Sequence, residues 1–262
     1  MPGTDTVALE PSCVAWRTGD GTAWYVSQRG TGRVLRVTRP GTRYEDLGRL
    51  LDSTLEPVVW PRLPEGHVPD RAVRPGGEEA SGGGARGGGV VGDGTLAAAL
   101  RDRLVRRDGA PVLAVYPFLR PRTLAGIVRR VGRALPVFGH DNVLVVGPVL
   151  SRDTCPCVRC LYGRLYANAG QPAAFAALCA ATEVLGAGNG PFAVDALDVL
   201  TADRRRALVD SVLARVADVL VGWQGDPGTA TAYTLDWTTG AWRRRTVPPL
   251  PGDAGDHAWK VD

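Results

Sequence analysis

The chain has 262 residues, enough for one α/β domain with a small appendage or for two small domains. A hydrophobic content of 44% suits a soluble globular protein. The net charge is +4 and the pI about 9.0, but the basic residues are scattered and almost all arginine, Lys260 being the only lysine. A nucleic-acid reader would cluster such charge with aromatics on one element, so nucleic acid is not the expected partner.

Residues 1–15 lack the charged start and long apolar core of a secretion signal. No apolar run approaches the roughly 20 residues of a membrane helix. The expectation is a cytoplasmic protein that does not engage a membrane. Five cysteines are an odd number, and a reducing compartment disfavours a disulfide framework.

Residues 7–38 read as three extended runs. Gly19-Asp20-Gly21 and Gly30-Thr31-Gly32 supply hairpin turns, because glycine takes positive φ without steric cost. A short helix is predicted from Tyr44 to Leu51, with Leu47, Leu50 and Leu51 on one face. Pro57, Pro61 and Pro64 then break the pattern. Residues 62–89 read as a linker. Between Gly76 and Gly89, eight of fourteen residues are glycine and none is large and apolar, so the segment is expected to be mobile.

Val90-Val91 is a short strand, followed by Gly92-Asp93-Gly94-Thr95-Leu96-Ala97, a GxGxx(G/A) pattern. Leu96, Leu100 and Leu104 then recur at helical spacing. Two readings stand open for Gly92, Gly94 and Ala97. One is a degenerate nucleotide-binding loop, in which the backbone approaches a phosphate at the helix N-terminus. The other is a glycine turn that packs helix on strand with no ligand. A strand follows at Pro111–Phe118, and neither Asp102 nor Asp108 suits the acidic ribose ligand that nucleotide binding asks for. Arg122 to Leu135 reads as an amphipathic helix ended by Pro136, with Leu124, Ile127, Val128 and Val131 inside. Strand, glycine turn, helix, strand, helix, strand predicts an α/β fold with a parallel sheet.

Val143 to Leu161, VLVVGPVLSRDTCPCVRCL, holds the most distinctive chemistry. A buried strand from Val143 to Val146 ends in Gly147-Pro148; Cys155, Cys157 and Cys160 follow, the last two forming a CxxC. An apolar strand, a Gly-Pro break and a CxxC leading into a helix resemble the E1-like (ThiF-like) proteins of bacteriocin and thiazole/oxazole-modified peptide biosynthesis. The flanks at Leu135-Pro136-Val137 and Ala181-Thr182-Glu183-Val184-Leu185 are also similar to that family. Beyond the cysteines, Gln171–Gly186 and Asp203–Leu220 read as helices, with Cys179 an ordinary buried thiol. Thr229–Val247 reads as a hairpin turning at Thr238-Thr239-Gly240, which resembles the family's closing strands, and Pro248-Pro249-Leu250-Pro251 opens the tail. The resemblance covers about residues 88–250.

It implies a Rossmann-like, E1-type, mostly parallel sheet with helices on both faces over residues 90–262. Residues 1–61 would be a small β-rich module, a degenerate version of the winged-helix element that binds a precursor's leader segment as an added strand. A β-cap that packs on its own domain is the alternative. The family's structural zinc is held by two CxxC pairs, the second just after the closing strands, where this chain has no cysteine. Cys155, Cys157 and Cys160 offer at most three metal ligands, with His140 or His257 as a fourth; the alternatives are a relic with reduced thiols, or a nucleophilic thiol without a neighbouring His or Lys. The family's ancestral adenylation chemistry uses a lysine and arginines, and no lysine stands in this region. The expectation is therefore a partner protein without catalytic residues, ATP or a complete zinc site. It would bind the leader peptide, or dock it to a separate YcaO-type cyclodehydratase, and would form a homodimer by resemblance. An active adenylating enzyme and a purely structural assembly subunit are the alternatives.

Overall fold

The computed structural model describes residues 13–17, 23–28, 33–38, 89–104, 109–140, 143–152, 156–184, 192–193, 201–225, 230–236 and 239–250. The predicted helix at Tyr44–Leu51, the glycine linker, both glycine hairpin turns, Cys155, His67 and His257 lie outside them.

The α/β body has a mixed central sheet. β4 (Val90–Gly92), β5 (Val112–Phe118) and β6 (Arg133–His140) run parallel, joined by α1 (Thr95–Arg103) and α2 (Pro121–Val131). The sheet continues antiparallel through β7 (Val143–Val146), β10 (Thr231–Asp236) and β11 (Trp242–Thr246), in the order β11-β10-β7-β6-β5-β4. A two-residue strand, β8 (Leu150–Ser151), pairs β6 off this path.

Alternation along the strands sends side chains to two covered faces. On one, Leu113, Val115, Leu135, Val137, Leu144, Val146 and Leu235 meet α1 and α5 (Ala202–Gly225) through Ala97, Leu100, Leu208, Val212 and Val216. Arg103 on α1 pairs with Asp210 on α5. On the other, Val112, Ala114, Ala134, Phe138 and Val145 meet α2, α3 (Val158–Asn168) and α4 (Pro172–Val184). Helices thus lie on both faces, as the α/β pattern requires.

The helix expected to run to Leu135 stops at Val131. Gly132 takes φ +84° and its N–H closes on Val128 O at 2.8 Å, so the chain turns before Pro136 is reached. Pro136 instead lies inside β6. Its carbonyl accepts from Gly147 N at 2.8 Å, just past the end of β7, and its missing N–H lies on that same side, between the β8 and β7 pairings.

A second, antiparallel sheet has the order β3-β2-β1-β9: β1 (Cys13–Arg17), β2 (Trp24–Gln28), β3 (Arg33–Val37) and β9 (Phe192–Ala193). It draws strands from both sides of the linker segment. Trp16, stacked on Tyr25, packs with Val34 against Ala174, Ala177, Leu178 and Ala181 of α4. The Gln171 side-chain amide adds a hydrogen bond to Val34 O at 3.0 Å.

α4 is held at its far end by α2. Glu183 accepts hydrogen bonds from Arg122 N at 2.6 Å and Thr123 Oγ1 at 2.8 Å, and also faces Thr123 N. Those N–H groups are unpaired donors of the first turn of α2, so Glu183 caps a helix 60 residues away in sequence. The buried Thr182 hydroxyl lies 3.1 Å from Leu119 O in the same turn. Glu183→Ala should lower stability by about 1–3 kcal/mol, since hydrogen bonds to a charged group are lost and helix donors are left without their cap. A lower urea midpoint at unchanged m-value checks this.

Candidate functional site

Three places carry the residues singled out by sequence: the glycine loop after β4, the cysteines before α3, and the open sheet edges.

At the glycine loop, Gly92 has φ +133°, and a Cβ there would lie 1.7 Å from Val115 O. Gly94, with φ 87°, is the N-cap of α1 and makes no side-chain cap. Ala97 is fully buried between α1 and the sheet. The small residues therefore bring α1 down onto β4 and β5. Between the glycines, Asp93 places a carboxylate beside the N-terminus of α1. It pairs with Arg120 Nη2 at 2.9 Å, and the Arg120 guanidinium lies 4.8 Å from the Tyr116 ring centre. Burial pushes the Tyr116 phenol above its ordinary value, partly opposed by Arg120. That carboxylate, paired with Arg120, stands at the helix end that a nucleotide phosphate would have to approach. β4 also pairs only with β5 among the described strands, so no topological switch point adjoins the loop.

At the cysteines, Cys157 is the N-cap of α3. Its sulfur accepts from Cys160 N at 3.4 Å and lies 3.6 Å from Cys160 Sγ. Both thiols are buried. Burial pushes the Cys157 thiol up; the Cys160 backbone N–H opposes this, and its thiol adds to the rise. A poised nucleophile needs the reverse. Cys179, elsewhere on α4, is pushed up to about 12 by burial, with Glu183 adding to the rise. Alkylation of Cys157 and Cys179 by iodoacetamide should therefore be slow at pH 7, and should still be rising with pH where an ordinary thiol, of pKa about 8.5, has levelled off. Fast reaction of either thiol at pH 7, located by peptide mass mapping, would contradict this.

A closed structural zinc site asks for four ligands. Among the described residues no three His, Cys, Asp or Glu side chains cluster as a metal site. His140 stands edge-on to Phe175 with ring centres 5.0 Å apart. The described residues thus contribute two thiols and do not fit a closed zinc site. The segment after β11 is attached to α3 by contacts of its own. Arg164 of α3 donates to Pro249 O at 2.6 Å and Pro248 O at 3.3 Å, and Leu250 fills the open side of Gly163. Arg164→Ala should lower stability by about 1 kcal/mol, and a zinc chelator should leave the unfolding midpoint of the unaltered protein unchanged. Thermal unfolding with and without 1,10-phenanthroline, alongside metal analysis by mass spectrometry, separates the two forms of attachment.

Sequence reasoning missed Asp93 paired with Arg120, Glu183 as a helix cap, and Arg164 as the tail's anchor. Each acts on a partner distant in sequence, so no local pattern announces it.

No protein-family model matches the chain, and no curated protein matches it. Among solved structures it is similar to a heterocyclase in complex with substrate and cofactor, at 14% identity and a TM-score of 0.40, covering 91% of this chain and 38% of that one. It is also similar to a chain of the E. coli microcin synthetase McbBCD complex (10% identity, TM-score 0.44, 92% of this chain and 99% of that one). A third likeness is to the heterocyclase TruD (14% identity, TM-score 0.40, 93% and 42%). The chain thus spans well under half the length of the two heterocyclase chains and nearly all of the synthetase chain. No described helix is long and apolar enough to cross a membrane.

Proposed function

We propose that the chain is an E1-like partner protein without adenylation chemistry, which binds the leader segment of a precursor peptide for a separate azole-forming cyclodehydratase. The observation that carries this reading is the small sheet. Its β1 side is joined to the body through β9 and α4, while β3 at the opposite side pairs only with β2 among the described strands. The Val34 carbonyl turns away from β2 to take the Gln171 amide. By the alternation of an antiparallel pair, Arg36, two residues on, directs its backbone N–H and C=O the same way. An extended peptide can add there as a further strand, with the exposed Arg36 side chain offering positive charge to an acidic leader. The carboxylate in the glycine loop and the edge position of β4 support the loss of ATP chemistry.

The test uses the full chain and the precursor peptide encoded beside its gene. Arg36→Pro removes one outward N–H, and fluorescence anisotropy should show affinity for the leader falling about tenfold or more, with circular dichroism unchanged. Unchanged affinity would remove β3 as the leader site. Peptide-dependent exchange of labelled pyrophosphate into ATP would replace the whole reading with that of an adenylating enzyme. Recovery of the cyclodehydratase without any peptide affinity would point to a structural subunit.

A further inference from the structure

Among the described strands β11 ends the central sheet on the side opposite β4, and its sequence is Trp242-Arg243-Arg244-Arg245-Thr246. β10 occupies one flank. Two hydrogen bonds set the phase of that pairing: Val247 N to Ala230 O at 2.8 Å, and Asp236 N to Ala241 O at 3.0 Å. Bonded and non-bonded pairs alternate in an antiparallel ladder, so Arg243 and Arg245 exchange bonds with Thr234 and Ala232. The N–H and C=O groups of Trp242, Arg244 and Thr246 therefore face away from β10.

The side chains divide by the same alternation. Trp242 turns toward the core beneath α5, and Arg244 on that face lies 3.3 Å from Thr231 Oγ1. Arg243 and Arg245 project on the other face, beside Thr234, and are exposed. Neither makes an ion pair among the described residues. The strand thus combines a row of outward backbone groups with two guanidinium groups that have no carboxylate partner among the described residues.

We infer that β11 is a docking edge for an acidic, extended segment of a partner polypeptide, which adds antiparallel to the sheet as a further strand. Backbone hydrogen bonds would form at Trp242, Arg244 and Thr246. Arg243 and Arg245 then fall at the non-bonded positions of the new pair, where facing side chains approach most closely, so carboxylates opposite them are well placed. A second copy of the chain is the wrong occupant. Antiparallel pairing of β11 with itself sets arginine against arginine, and like charges directly opposite are destabilising. A single-stranded nucleic acid lacks its stacking platform, because the strand's aromatic residue, Trp242, is packed against the core. This edge lies in the central sheet, so its test stands apart from that of the leader site on β3.

The probe is a fluorescein-labelled ten-residue peptide of alternating glutamate and threonine, titrated with the full chain and read by anisotropy. We expect saturable binding. It should weaken at least tenfold when alternate peptide nitrogens are methylated, and at least tenfold in the Arg243→Gln/Arg245→Gln double variant with unchanged circular dichroism. Absence of binding, or equal binding of the methylated peptide, would overturn the proposal, the latter by reducing it to counter-ion attraction. Unchanged affinity in the double variant would overturn it as well. So would an oligouridylate that binds more tightly than the peptide and is lost in the same variant.

Discussion

The relation between the two sheets depends on how α4 is fastened. One end of this helix carries Ala174 under Trp16 and is preceded by Gln171 on Val34. The other end carries Thr182 and Glu183, which engage residues 119–123 at the entrance to α2. Carboxylate-to-amide bonds are directional and stronger than neutral ones, so they fix where α4 lies along α2. The small sheet inherits that position through its packing on α4. The same turn contains Arg120, whose pairing with Asp93 reaches back to the glycine loop. One stretch of chain thus coordinates the helix layer, the loop after β4 and the seat of the small sheet.

The order of the central sheet decides what its ends can do. Crossovers through α1 and α2 place β4 outside β5 and β5 outside β6, and the chain then continues by antiparallel neighbours on the far side of β6. A sheet wound in both directions from its first strand would enclose a crevice beside that strand. Among the described strands growth goes one way, so the glycine loop stands at their margin. The opposite margin is arginine-rich, a common guard against indiscriminate strand pairing. Charge that repels an identical copy also selects for an opposite one.

Much of the body was legible because its signals are local. The hydrophobic runs at Val112–Val115 and Val143–Val146, the amphipathic pattern of α2 and the long periodicity of α5 each name their own element. The end of α2 was misread because Pro136 looks like a terminator in isolation; whether a proline stops a helix or sits in a strand depends on which neighbour needs its N–H, and that is settled by β7 and β8. The antiparallel half of the sheet was only partly visible, since Thr229–Val247 announces a hairpin but not its pairing with β7. At the candidate site, the glycine pattern was visible and its use was not. The same three small residues serve close packing or phosphate approach, and the choice rests on Asp93 and on the absence of a strand beside β4 among the described residues. The pairing of β1 with β9 left no trace in the sequence, because two residues such as Phe192-Ala193 carry no periodicity.

That last pairing ties the order of folding to the order of synthesis. Val14 and Ala15 find their partners at Ala193 and Phe192, and Trp16 finds its cover on α4. At about 5–20 residues per second, a ribosome takes on the order of 10–35 s to travel from one to the other. Throughout that interval β1 has β2 to pair with but neither its second neighbour nor the helix that shelters its tryptophan. The small sheet is therefore begun before the central sheet and completed only after α4 and β9 have been made, and a nascent chain would meanwhile present an apolar, strand-forming surface to whatever waits at the exit tunnel.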